Sequence, residues 1–381
     1  MPCDDEQAAS TSTAGSVQKL DFPEGVPPLT SLYLYISGSC NLACRHCWIT
    51  PIFQQENNNG QNIKLSYVKK ALQEARPLGL RSVKLTGGEP TIHPQFRDII
   101  AMIANEGFEI IIESNGILFD RQLVQFLKER SPGSFISVSL DGAAAETHDN
   151  LRGVKGCFEQ AISGIRNLVQ AGFHPQLICT LHKGNVSEIE EVISLAEELE
   201  CESVKFNHVQ QLGRGEHFSR NQGLSIPEII ELNNRVEKEL IRKSKVRIHF
   251  DIPFAFYSIR RITRAHHGRC AVLTILGVLS GGELSLCGIG VNVPALIFGH
   301  LEADHLKKVW CESPGLTLLR EQVPEQMQGI CGNCLHRDIC LGNCIAQNFY
   351  ITGELNSPYN FCRQAEIANL FPESRKREFR N

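Results

Sequence analysis

The chain of 381 residues carries 38 Lys and Arg against 42 Asp and Glu, a formal net charge of -4, with 42% hydrophobic and 21% charged residues. These proportions describe an ordinary globular protein and offer no basic surplus for nucleic acid or an acidic membrane. The length exceeds that of a usual single domain, which predicts a large α/β unit with a smaller domain appended.

Residues 1–29 are rich in Ser, Thr, Ala, Pro and acids without periodicity, and read as a flexible arm. The arm begins acidic and lacks the basic start and apolar stretch of a secretory signal, so a cytoplasmic location is expected. A regular alternation then begins. "SLYLYIS" (31–37) reads as a strand, "LSYVKKALQEARPLG" (65–79) as a helix, "SVKLTGG" (82–88) as a strand and "PQFRDIIAMIANEG" (94–107) as a helix. Four further β-rich runs at 109–116, 135–142, 176–183 and 203–210 are separated by segments with helical apolar spacing. Six βα units predict an α/β fold in which parallel strands curl into a partial (β/α)6 barrel, with the chemistry at the carboxyl ends of the strands.

A helix at 225–243 and a strand at 246–253 follow, and beyond Cys270 the chain turns rich in Gly and Cys with poor periodicity. The longest apolar stretch, 270–299, is broken at Ser280–Glu283, short of the roughly 20 residues a membrane span needs. The expected organisation is therefore an arm over 1–29, the barrel over 30–255, a cysteine-rich domain over 256–372 and a solvated basic tail over 373–381. Fifteen cysteines in a reducing compartment argue for metal rather than disulfides.

The segment "SCNLACRHCW" (39–48) follows the first strand and holds Cys40, Cys44 and Cys47. Three thiolates on one short loop can bind three irons of a cubane cluster and leave the fourth open. A structural zinc site would want four closed ligands, and no fourth follows nearby. With "GGEP" at 87–90, this loop resembles the radical S-adenosylmethionine (SAM) superfamily over roughly residues 31–210. The resemblance implies a 4Fe-4S cluster whose open iron is chelated by the amine and carboxylate of SAM, and one-electron cleavage to a 5'-deoxyadenosyl radical. It also implies site roles: His46 beside the adenine, Gly87 and Gly88 clear of the methionyl group, Glu89 accepting from its amine, Asn115 and Ser139 touching ribose and methionine, and Arg152 pairing with the SAM carboxylate. Ordinary readings stand beside these, with Asn115 serving the turn before Gly116, Ser139 a strand end and Arg152 in solvent. Asp141 in "SLDG" reads as a turn residue.

A second set comprises Cys270, Cys287, Cys331, Cys334, Cys340, Cys344 and Cys362. A zinc ribbon on Cys331–Cys344 would leave the other three unexplained. In order and spacing the seven resemble the SPASM domain found after some radical SAM cores. That resemblance implies two auxiliary 4Fe-4S clusters, one on Cys331, Cys334, Cys340 and Cys362, the other on Cys270, Cys287 and Cys344. The second lacks a ligand, which Cys311 could supply unless an iron is open. Cys3, Cys157, Cys179, Cys201 and Cys311 carry no motif and default to small buried hydrophobes.

The combined resemblance implies a peptide-modifying enzyme, most like maturases of ribosomally made natural products. Its partners would be a precursor peptide and a flavodoxin or ferredoxin donor. The first strand starts near 31, leaving no room for a leader-binding domain of roughly 80 residues, so a separate leader-binding partner is expected. Asp251, on the last core strand before the cysteine-rich region, is the candidate general base. Two alternatives are a cofactor-biosynthesis or sulfatase-maturing oxidase and a zinc-binding or electron-carrying scaffold with a degenerate core.

Overall fold

The structure, a computed structural model, describes residues 22–53, 61–264 and 270–377. Seven strands run parallel in chain order: β1 (Ser31–Ser37), β2 (Ser82–Gly87), β3 (Glu109–Ser114), β4 (Phe135–Ser139), β5 (Gln176–Leu181), β6 (Ser203–His208) and β7 (Arg247–Phe250). The helices between them include α1 (Leu65–Ala75), α2 (Phe96–Asn105), α3 (Arg121–Arg130), α4 (Ala145–Arg152), α5 (Cys157–Gln170) and α6 (Ile189–Glu198). After β6 come α7 (Arg214–Gln222) and α8 (Ile226–Arg235), the latter opened by a capping box between Ser225 and Glu228. The open parallel sheet with helical crossovers is the partial barrel expected from the alternation.

Alternation also decides what faces where. Leu32, Leu34, Ile36, Val83, Leu85, Ile110 and Ile112 are buried in one core with the helices. Because strand side chains alternate, Tyr33, Lys84 and Glu113 lie on the opposite, concave face.

The cysteine-rich region does not begin as a separate irregular unit. Ile275–Val278 forms β8, buried at every position and parallel to β1, and β9 (Glu283–Ser285) and β10 (Ile297–His300) add antiparallel strands beyond it. One ten-stranded sheet therefore crosses the expected boundary near 255. Periodicity could not reveal β8, since a strand covered on both faces reads as a continuous apolar run. The break at Ser280–Glu283 is the hairpin between β8 and β9.

The ends of the chain are tied down where they are described. Residues 1–21 of the expected arm and 378–381 of the tail lie outside the described residues. Leu29 is fully buried, and the Trp310 indole donates to the Pro27 carbonyl at 2.9 Å. At the other end Arg375 donates to the Tyr257 carbonyl and the Arg377 N–H to that of Asn333, so residues 373–377 lie against the protein rather than standing free in solvent.

Candidate functional site

The three-cysteine loop leaves the carboxyl end of β1 and is clamped to the end of β2. Gly88 N–H donates to the Ser37 carbonyl at 2.7 Å and Glu89 N–H to that of Ser39 at 2.9 Å. A β-carbon at Gly88 would sit 1.9 Å from the Ser39 oxygen, and one at Gly87, whose φ is +135°, would sit 2.7 Å from that of Ser37. The glycines are thus required by the approach of two backbones, whatever room they leave for a ligand. Gly88→Ala is expected to push Ser39 and Cys40 away and to cost about 1–3 kcal/mol or more in a folded chain, read as a lowered melting temperature.

Glu89 is almost fully buried, and its carboxylate is engaged by the protein. Oε1 accepts from Thr91 N–H, Thr91 Oγ1 and Ser114 Oγ, and Oε2 accepts from Asn115 N–H at 2.8 Å. Burial raises its pKa against the opposing pull of these bonds. Asn115 passes the clamp on: its Nδ2 donates to Asn41 Oδ1 at 2.7 Å, inside the cysteine loop, while its Oδ1 accepts from Ile117 N–H. It therefore serves both the turn and the loop. The Ser139 hydroxyl, at the end of β4, makes no hydrogen bond among the described residues.

Arg152 is not in solvent. Its Nε lies 2.6 Å from Asp141 Oδ2, and its Nη1 points at Cys44 Sγ at 3.6 Å. Asp141, read from sequence as a turn residue, is fully buried and also accepts from Thr180 N–H at 2.7 Å. Burial would raise its carboxyl, but the Arg152 guanidinium holds it below the usual range. His46 Nε2 is 3.9 Å from the same carboxylate; burial lowers this imidazole to about 4, keeping it neutral, and its Nδ1 has no hydrogen-bond partner among the described residues. His182, missed in the sequence, completes the rim: Nδ1 accepts from Gly184 N–H, the ring meets Phe218 edge-on at 5.2 Å, and Nε2 is buried without a hydrogen-bond partner among the described residues.

The concave face carries charge. Lys84 Nζ pairs with Glu113 at 2.5 Å and lies 4.8 Å from the Tyr33 ring centroid. Burial opposes ionisation of Glu113, but Lys84 and then Lys205 bring its pKa down. Lys84→Met is expected to destabilise the fold by about 1–3 kcal/mol, between exposed and buried pairs because the Glu113 side chain is 35% exposed. Thermal melts should recover in the Lys84→Met, Glu113→Gln double variant, which strands no charge. These residues were legible as charges alternating with apolar residues in "SVKLTG" and "EIIIES".

The later cysteines fall into two sets. Cys331, Cys334, Cys340 and Cys362 line one small pocket, with Cys362 donating to Cys331 and so lowering its pKa. Cys270, Cys287 and Cys344 feel one another's charge, beside Lys84 and Tyr33, and desolvation leads in raising each thiol. Cys311 does not join them: its charged neighbours are Arg320, Lys307 and Glu312. Asp251 follows β7 and acts electrostatically on Cys344 and Tyr359, at the seam between barrel and cysteine-rich region.

Donor chemistry tests whether these cysteines suit iron–sulfur clusters. Cys40, Cys331 and Cys334 accept from the N–H groups of Leu42, Tyr359 and His336 at 3.3–3.4 Å. Backbone N–H groups likewise reach Cys270, Cys287, Cys340 and Cys344, and a guanidinium reaches Cys44. Donors aimed at sulfur are what cluster thiolates need. Cys157, outside the motifs, instead donates to Asp149. The donor chemistry suits the group, while among the described residues no three His, Cys, Asp or Glu side chains stand close enough together to hold a metal ion.

Residues 34–196 match the radical SAM superfamily. The chain carries a radical SAM domain. Among relatives, an AdoMet-dependent heme synthase of Methanosarcina barkeri is 27% identical, over 86% of this chain and 94% of that protein. The mycofactocin maturase MftC of Mycobacterium tuberculosis is 25% identical, over 90% of this chain and 85% of that protein. Among solved structures, Streptococcus suis SuiB bound to its precursor peptide SuiA superposes with a TM-score of 0.70 at 17% identity, covering 88% of this chain and 76% of SuiB. That likeness is one of fold. No helix among the described residues is long and apolar enough to cross a membrane.

Proposed function

We propose that this radical SAM enzyme is a SPASM-type maturase that modifies a ribosomally synthesised precursor peptide. The observation that carries the reading is the gathering of seven cysteines, distant in sequence, into two sets beside the barrel, behind a loop with three more. On this reading Cys40, Cys44 and Cys47 hold the catalytic 4Fe-4S cluster, and the two later sets hold auxiliary clusters, the second a ligand short. Bound there, cluster and SAM supply reductive SAM cleavage and hydrogen-atom abstraction, with a flavodoxin or ferredoxin as electron source.

The chain's own residues position that chemistry. Glu89 and Asn115 fix the loop, neutral His46 faces the adenine region, and Arg152, held by Asp141, directs one amino group at Cys44 and keeps others for the SAM carboxylate. Ser139 has a free hydroxyl for the same ligand. Asp251 is placed to take a proton if the route ends in oxidation. A separate leader-binding protein and a cytoplasmic location belong to the same reading.

The heme synthase relative favours a second reading, in which the substrate is a tetrapyrrole. The two are separated by incubating reconstituted enzyme, SAM and dithionite with short peptides encoded beside the gene, and in parallel with Fe-coproporphyrin III. A SAM-dependent mass change in a peptide supports the maturase; conversion of the porphyrin alone overturns it.

A further inference from the structure

A cleft of about 100 Å³ opens where α7 and α8 meet two helices of the cysteine-rich region, α9 (Ile345–Thr352) and α10 (Asn360–Ile367). No Lys, Arg, Asp or Glu lines it. The polar lining instead includes four side-chain amides, those of Gln211, Gln347, Asn360 and Gln364, set against an apolar wall with Ile229 and Phe361.

The amides have bonding capacity to spare. Gln347 is 5% exposed, and its Oε1 is buried with no hydrogen-bond partner, so an acceptor is waiting for a donor that the described residues do not provide. The side chains of Gln211 and Gln364 make no hydrogen bond among the described residues. Asn360 Oδ1 accepts from Arg363 at 3.0 Å, which leaves its Nδ2 to donate. Ser225, also in the lining, donates to the Glu228 carboxylate. The floor of the cleft is tied to the cysteines, because Gln347 N–H donates to Cys344 Sγ and Tyr359, another lining residue, feels Asp251 and Cys344.

We infer that this cleft docks an uncharged, extended segment of the substrate peptide, its backbone N–H and C=O groups paired with the amide side chains. The inference rests on the maturase reading and narrows it. Amides exchange donors and acceptors with a peptide backbone at no cost in buried charge, whereas the carboxylates of a tetrapyrrole would enter a cleft whose lining offers them no Lys or Arg and only the His208 imidazole.

The test uses the reconstituted full chain and two probes: an acetylated, amidated octapeptide mixture randomised over uncharged residues, and coproporphyrin III. Capture of peptides is read by mass spectrometry and porphyrin binding by absorbance titration. Gln211 and Gln364 are exposed, so Gln211→Leu, Gln364→Leu and Gln364→Lys should fold, which unchanged melting temperatures verify. The expected result is selective peptide capture by the wild type, weakened about five- to tenfold in the double Leu variant, and no porphyrin binding in any variant. Capture that is equal in wild type and variants overturns the cleft assignment and spares the maturase reading. Absence of capture by the wild type also overturns the assignment. Porphyrin binding that tightens in Gln364→Lys overturns both.

Discussion

Replacing Cys40, Cys44 and Cys47 together with Ala is expected to lower the iron content of anaerobically reconstituted protein from about twelve to about eight per chain and to abolish 5'-deoxyadenosine formation. The three side chains share one small apolar cluster with Leu42 and Cys157, apart from the main core. Cys40 is pushed up to about 12, mainly by burial and then by Glu89, so a free thiol there holds its proton until metal displaces it. The remaining irons would sit on sets formed by other elements and should survive the change. Iron and sulfide analysis with parallel chromatography of the nucleoside measures both effects. A fall to zero would mean that the later cysteines hold no cluster.

Arg152→Ala should be the most damaging single substitution on the rim. Its partner Asp141 is fully buried, and the Arg152 side chain is only 10% exposed. Removing the cation strands a carboxylate that still accepts from the Thr180 N–H, a change of the kind that costs about 3–5 kcal/mol. Melting temperature reads that loss. SAM affinity by equilibrium dialysis reads a second role, since the guanidinium also reaches Cys44. An Arg152→Met, Asp141→Asn double variant removes both charges and should regain much of the stability. It should remain deficient in SAM binding, because the planar fork beside the cysteine loop is gone; full recovery of binding would make the arginine purely structural. Arg152→Lys should fall between, keeping charge without the fork.

Much of this site was legible because strand physics is legible. Runs such as "SVKLTG" and "EIIIES" give their faces away by alternation, and the cysteine loop follows the first strand as barrel chemistry requires. What escaped depended on distance in sequence. Asp141 in "SLDG" looks like a turn residue until Arg152 is folded onto it. Glu89 looks like a ligand contact until Thr91, Ser114 and Asn115 fill its carboxylate. The strand Ile275–Val278 was hidden by being covered on both faces, and the pairing of Cys331 with Cys362 followed from resemblance, not from spacing.

The continuity of the sheet has a mechanical meaning. Since Ile275–Val278 is hydrogen-bonded along β1, the strand that launches the Cys40 loop also anchors the segment between Cys270 and Cys287. A hinge between these regions would have to tear a parallel ladder. Substrate entry must therefore be accommodated by loops and side chains, while the separation of the two regions stays as stiff as the ladder itself, so that on the proposed function electron tunnelling between clusters held there would be gated by potential and not by domain motion.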